Sequence, residues 1–176
     1  LPTYDVFDEA RYFQPAPVSE HPGTERIVTF NGARVALTVC EDAWNDKDFW
    51  EKLRYSRDPV EELVHAGAEM LITINASPYH MGKQVLRLQV MQDRVRESGL
   101  AVVYCNMVGG QDELVFDGAS FVLAADGAHV HQSDRFHESV DVLRYDGERW
   151  HGGSLAPESG VEEEVYEALK AGVRDY

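Results

Sequence analysis

A chain of 176 residues, 44% hydrophobic and 27% charged, has the size and mix of a single domain with its own apolar core. Its formal net charge of −15 argues against nucleic-acid or anionic-membrane partners, which carry the same sign, and no apolar run nears the ~18 residues that span a bilayer. Two cysteines without a framework spacing point to free thiols in a reducing compartment, and no basic-then-apolar leader is visible, so the expected location is cytoplasmic.

The first thirteen residues lack an initiator methionine and carry Tyr4, Phe7, Tyr12 and Phe13, too aromatic for a fraying terminus; they read as cut from a longer polypeptide. Three prolines and a glycine between positions 14 and 23 make a loop. Ile27-Val-Thr-Phe30, then Asn31-Gly32, then Arg34-Val-Ala-Leu-Thr-Val-Cys40 reads as a hairpin with a type I′ turn. Five of the six residues from Val35 to Cys40 are apolar, the pattern of a strand buried on both faces. It runs into Glu41-Asp42-Ala43-Trp44. A thiol at the tip of such a strand, where polar residues open a turn, is where α/β enzymes present a nucleophile; the competing reading is a small packed hydrophobe.

Beyond Trp44, the residues Phe49, Trp50 and Leu53 recur at helical spacing. Asp58-Pro59 is an N-cap followed by an N1 proline, and Gly67 closes a short helix that packs through Val60, Leu63 and Val64. Met70-Leu-Ile-Thr-Ile-Asn75 is a second buried strand. A helix over 83–98 follows, with Leu88, Met91 and Val95 on one face and Gly99 as its stop. Ala101-Val-Val-Tyr-Cys105-Asn106 is a third strand, in which Cys105 reads as a packed thiol. Segments 118–125 and 138–145 read as two more strands joined through Asp126-Gly127. Residues 161–176 read as an amphipathic helix with Val165, Leu169 and Val173 in register.

Strands alternating with helices predict an α/β fold with Cys40, Ser77 and Asn106 on one carboxyl edge, where open α/β sheets bind ligands. His129 and His131 share a strand face but find no third ligand, so no metal site is expected. Gly109-Gly110 lacks the lysine and serine of a phosphate loop, and no serine sits in a Gly-x-Ser-x-Gly context. Ser77, before Pro78, is also compatible with a plain turn residue, and Lys83 with a solvated helix start.

Five motifs then carry a resemblance. Leu1-Pro-Thr-Tyr-Asp-Val-Phe-Asp-Glu9, Val39-Cys-Glu-Asp-Ala-Trp44, and Asn75-Ala-Ser-Pro78 with Gly82-Lys83 are the first three. Asn106-Met-Val-Gly-Gly-Gln-Asp-Glu-Leu-Val-Phe-Asp-Gly118 and Ala168-Leu-Lys-Ala-Gly-Val-Arg-Asp-Tyr176 are the others. Together they resemble the nitrilase-like (carbon–nitrogen hydrolase) glutaminase domain of the glutamine-dependent NAD⁺ synthetase family, in order and over nearly the whole chain.

The resemblance implies a nitrilase-like α-β-β-α sandwich, here partial with N-terminal strands and a helix missing. It implies glutaminase residues at 1–160 and, at 161–176, the start of a helix leading to a synthetase domain. Cys40 is implied as the nucleophile, with Glu9 as a secondary acid; Tyr4, Glu41, Ser77 and Lys83 are implied to bind glutamine. The family's catalytic lysine and general-base glutamate fall upstream of Leu1, so the chain alone is expected to be inactive. No cofactor is implied for these residues, ATP and Mg belonging to the synthetase domain. Implied partners are glutamine, that domain and further copies in a homo-oligomer. Two other readings stay open: a stand-alone nitrilase-superfamily amidase, and a non-catalytic assembly fragment.

Overall fold

The computed structural model describes residues 1–2, 8–17, 20–46 and 55–176. Its frame is a six-stranded sheet made of β1 (Ile27–Phe30), β2 (Ala33–Val39), β3 (Met70–Asn75), β4 (Ala101–Asn106), β7 (Phe121–Leu123) and β8 (His129–Gln132), adjacent in that order. The central strands β2, β3 and β4 run parallel, and β1, β7 and β8 extend them antiparallel at the two sides. Two small hairpins stand apart: β5 (Val108–Gln111) with β6 (Leu114–Asp117), and β9 (Arg144–Tyr145) with β10 (Trp150–His151).

Local chemistry explains the elements that were anticipated. Asn31 and Gly32 both take positive φ, 49° and 85°, as a two-residue type I′ hairpin turn requires. The Asp58 carboxylate accepts from the backbone N–H of Val60 and Glu61 and starts α2 (Pro59–His65), whose N1 proline has no N–H to leave unsatisfied. The helix α3 (Lys83–Ser98) ends at Gly99, which adopts the left-handed conformation that releases a helix. Between β2 and α2 lies the four-residue helix α1 (Glu41–Trp44), and the chain closes with α4 (Val161–Asp175). The helical spacing of Phe49, Trp50 and Leu53 lies outside the described residues.

One face of the sheet is packed. Ala36, Leu71, Val102, Tyr104, Phe121 and Leu123 point toward α2 and α3 and meet Leu63, Val90, Met91 and Val95 in a single core. The Tyr104 and Phe121 rings stack at 4.7 Å across the neighbouring strands β4 and β7. The opposite face is open along β1 to β4. Val39 and Ile74, paired in register, are 63% and 59% exposed, and Val28, Phe30 and Leu37 join them.

This corrects the expectation that the strand ending in Cys40 is buried on both sides. A helix layer covers one side only, so the six-stranded sheet and its helices supply one sheet layer and one helix layer of the expected sandwich. Cys105 shares the open face and is exposed, not packed, although the surrounding protein still raises its pKa by desolvation.

Three further differences have local causes. The stretch 118–125 contributes only β7, and its partner across Asp126-Gly127 is β8, not 138–145. In 138–145 only Arg144–Tyr145 is strand, because Val140 and Val142 alternate outward into solvent and find no neighbour to pair with. The helix α4 exists as expected, but Leu169 and Val173 are exposed; its packed side is Ala168, Ala171 and Gly172, small residues that let it lie close on the β5–β6 hairpin.

Candidate active site

The parallel strands place their ends on one edge, and the chemistry gathers there. Cys40 follows the last residue of β2 and caps α1. Its amide donates to Ile74 O at 2.9 Å, its carbonyl accepts from the Ala43 amide at 3.1 Å, and its backbone sits at φ 41° and ψ −104°. That conformation is sparsely populated for a residue with a Cβ and costs roughly 1–3 kcal/mol, so surrounding contacts must impose it. The result is a half-buried thiol held at a sharp strand-to-helix turn.

Ser77 lies just past β3 and is almost fully buried. Its amide donates to Asn106 Oδ1 at 3.0 Å, and Asn106 in turn donates to Gly118 O, so the end of β4 fixes the loop after β3. The neighbouring Asn75 carboxamide donates to Cys105 O, a second tie between the same two strand ends. The edge that Cys40, Ser77 and Asn106 were expected to share is therefore physically joined, Cys40 to β3 through Ile74 O and the end of β3 to β4 through the Ser77 and Asn75 bonds.

Lys83 opens α3, and its ammonium stands 4.6 Å from the centre of the Trp44 ring, a cation–π contact that ties α3 to α1 just behind Cys40. Burial, and then the nearby Arg87, hold its pKa below the ordinary lysine range, against an opposing pull from Cys40 and Asp117. Tyr104 lines the same region, and burial chiefly raises its pKa, with Arg87 opposing. Its hydroxyl lies close to Trp44 and Ser77 without a well-formed hydrogen bond.

Of the residues expected at a site, Cys40, Ser77 and Lys83 thus converge around Trp44 and Tyr104. Glu41 is buried in α1 directly after the thiol. Glu9 lies on a different element, the 3-10 turn Glu9–Arg11, half-buried. Tyr4 lies outside the described residues. No group of three or more His, Cys, Asp or Glu side chains able to hold a metal occurs among the described residues.

Sequence reading missed two buried arginines. Lys83, Arg87 and Arg94 lie at i, i+4 and i+11, which places them on one side of α3. Arg94 donates to Ala43 O at 3.0 Å and to Asp58 Oδ2 at 2.8 Å, so it clamps α1 to the cap of α2. Arg87 grips the Ser77 loop through Ser77 Oγ, Ser77 O and Pro78 O. The signal was the four-residue step from Lys83 to Arg87, hidden because a charge on an amphipathic helix is ordinarily assigned to its wet side.

A second concavity, of about 420 Å³, is lined by Cys105, Val122, His131, Ser133 and Asp141 among others, and it borders the strand edge at Tyr104 and Asn106. His131 there receives the Ser154 amide on Nδ1 and faces Asp141 at 3.3 Å. Of the residues expected at the edge it holds Asn106 but not Cys40, Ser77 or Lys83, and its thiol has a raised pKa, the wrong direction for a nucleophile.

Residues 2–150 match the model of the carbon–nitrogen hydrolase family. This chain belongs to that family. It is 38% identical to the glutamine-dependent NAD(+) synthetase of Synechocystis sp. over 180 residues, and 40% identical to that of Rhodobacter capsulatus over 183. Each alignment spans all of this chain but only 31% and 30% of the relative, so the chain corresponds to less than a third of those proteins.

Among solved structures it matches the glutamine-dependent NAD+ synthetase of Acinetobacter baumannii with a TM-score of 0.82 and 32% identity, again over all of this chain and 31% of the other. An amidase from Nesterenkonia sp. AN1 matches at TM-score 0.56 and 21% identity over 72% of this chain and 43% of its own, a likeness of fold. The nitrilase-type α/β architecture expected from sequence is the one found. Among the described residues, no helix is long and apolar enough to cross a membrane.

Proposed function

We propose that this chain is the cysteine-bearing part of a glutaminase that supplies ammonia for NAD⁺ synthesis from deamido-NAD⁺. One observation carries the reading: a thiol on a constrained turn, a buried hydroxyl and a lysine converge at one sheet edge, in a chain related end to end to glutamine-dependent NAD(+) synthetases. Ser77 and Lys83 hold the glutamine α-carboxylate by a donated hydrogen bond and a positive charge. Glu41 and Tyr4 line the pocket, and Glu9 serves as a secondary acid beside it.

The Cys40 thiolate adds to the side-chain carboxamide carbon, and the tetrahedral intermediate expels its nitrogen as ammonia after gaining a proton. The resulting thioester is cleaved by water, giving glutamate and the free thiol. Proton transfer is assigned to the glutamate and lysine of the family pattern, which are not among these 176 residues; the isolated chain is accordingly proposed to be inactive. Residues 1–160 are the glutaminase part and 161–176 the start of a connecting helix. The synthetase domain, using ATP and Mg, and further copies in a homo-oligomer are the proposed partners, in a cytoplasmic setting. This part binds no cofactor of its own.

In the natural polypeptide that carries this chain, Cys40→Ala should lower ammonia release from glutamine by about a thousandfold or more while synthesis from added ammonia continues. Full release by the variant would overturn the assignment.

A further inference from the structure

Behind Ser77 runs a line of alternating charges that the chemistry above does not use. Arg87 and Asp117 are both fully buried, with Arg87 Nη1 2.7 Å from Asp117 Oδ1 and 2.9 Å from Oδ2. Arg135 Nη2 donates to Asp117 Oδ2 at 3.1 Å, and Arg135 Nη1 donates to Glu164 Oε2 at 2.6 Å. Glu164 sits in the first turn of α4. Four side chains from α3, β6, the loop after β8 and α4 thus connect the Ser77 loop to the C-terminal helix, with exposure rising only toward the last two.

Two physical points make this more than packing. A buried pair such as Arg87–Asp117 loses much of its Coulomb gain to desolvation, and an apolar pair of the same volume often serves stability as well or better. What the pair supplies that an apolar pair does not is direction. Arg87 Nε donates to Ser77 Oγ at 3.1 Å, and Nη2 donates to Ser77 O at 2.7 Å. With a lone pair of the hydroxyl occupied by a guanidinium N–H, the Ser77 proton is left to be donated to another group, as binding an anionic carboxylate requires. Arg87 would lose this aim if Asp117 shifted, and Asp117 is shared with Arg135, whose other arm is fixed by α4. The rings of Tyr79 and Phe136, 5.4 Å apart and edge to face, flank Arg135 and keep that junction rigid.

We propose that Arg87, Asp117, Arg135 and Glu164 are positioning residues that make the donor geometry of Ser77, and hence glutamine affinity, depend on the placement of α4. The inference rests on the glutaminase reading for its substrate, but not for its geometry.

The test uses the natural full-length protein, with Glu164→Gln at the α4 end of the line, an isosteric change, and Arg87→Lys at its fully buried end. Glu164→Gln should raise the KM for glutamine about threefold or more with kcat within twofold; Arg87→Lys should raise it about tenfold or more, the scale of one charge-assisted hydrogen bond. Amide hydrogen exchange over 76–79 should accelerate in both variants while that over 101–106 does not. An unchanged KM and unchanged exchange in Glu164→Gln would overturn the proposal. So would a parallel fall in kcat and thermal stability with KM unmoved, the mark of a merely structural role. If the wild-type protein releases no ammonia from glutamine, the glutaminase reading fails, and exchange over 76–79 in Glu164→Gln alone decides for or against the line.

Discussion

The two faces of the central sheet are built from the same residue types and behave oppositely. On β3, Leu71 and Thr73 point to the helices and are fully buried, while Ile74, one residue on, points the other way and is mostly exposed. On β2, Ala36 and Thr38 are buried and Leu37 and Val39 are not. A hydrophobic run records that a strand suits a two-sided interior; it does not record whether both layers are present. The candidate site sits at the end of the strands, where the packed side supplies its supports through α3 and the open side supplies none that the described residues show.

The comparison can be sharpened by substitution, beginning with the packed face. Leu71→Ala removes a side chain from the centre of the helix-facing core and should cost about 2–5 kcal/mol, read from denaturant midpoints of the 176-residue chain. A loss below ~1 kcal/mol would mean that this face is not the true core.

At the edge between the faces, Lys83→Met should raise the KM for glutamine in the natural protein about tenfold. There the sign of the pH dependence follows from the depressed pKa. On the proposed reading the ammonium is the binding form; it is shed at a lower pH than the ordinary lysine value of ~10.4, so KM should climb on the alkaline side earlier than for an exposed lysine. Lys83→Arg, which keeps its charge, should flatten that rise; an unaltered pH profile would remove Lys83 from carboxylate binding.

The smallest effect belongs to the open face, where Ile74→Thr should change stability of the 176-residue chain by no more than about 0.5 kcal/mol. A cost of 2 kcal/mol or more there would show that another layer covers this face in solution.

Much of the fold was legible because its signals are local. Asn31-Gly32 demands positive φ twice, Asp58-Pro59 supplies a cap and a missing N–H together, and Gly99 ends α3; each fixes a boundary without reference to the rest of the chain. Cys40 at a strand tip was legible for the same reason, and Ser77 and Lys83 followed from the resemblance.

What was not legible depends on partners far apart in sequence. Leu169 and Val173 have the spacing of a buried stripe, yet α4 docks through Ala168 and Ala171, because the β5–β6 hairpin comes close enough only for small side chains. Val140 and Val142 alternate like a strand, yet both side chains stand in solvent. Arg87 and Asp117 are 30 positions apart, and nothing in either neighbourhood announces that the two charges neutralise one another inside the protein.

The length of α3 has a consequence of its own. One sixteen-residue rod carries Lys83 at its tip, Arg87 on the Ser77 loop and Arg94 on the short helix behind the thiol. The turn that bears the Cys40 thiol and the Ser77 loop are therefore indexed to a common ruler, and their spacing is kept by any motion that moves the rod as a whole. Bending or fraying it between positions 83 and 94 would change the spacing of all three contacts at once.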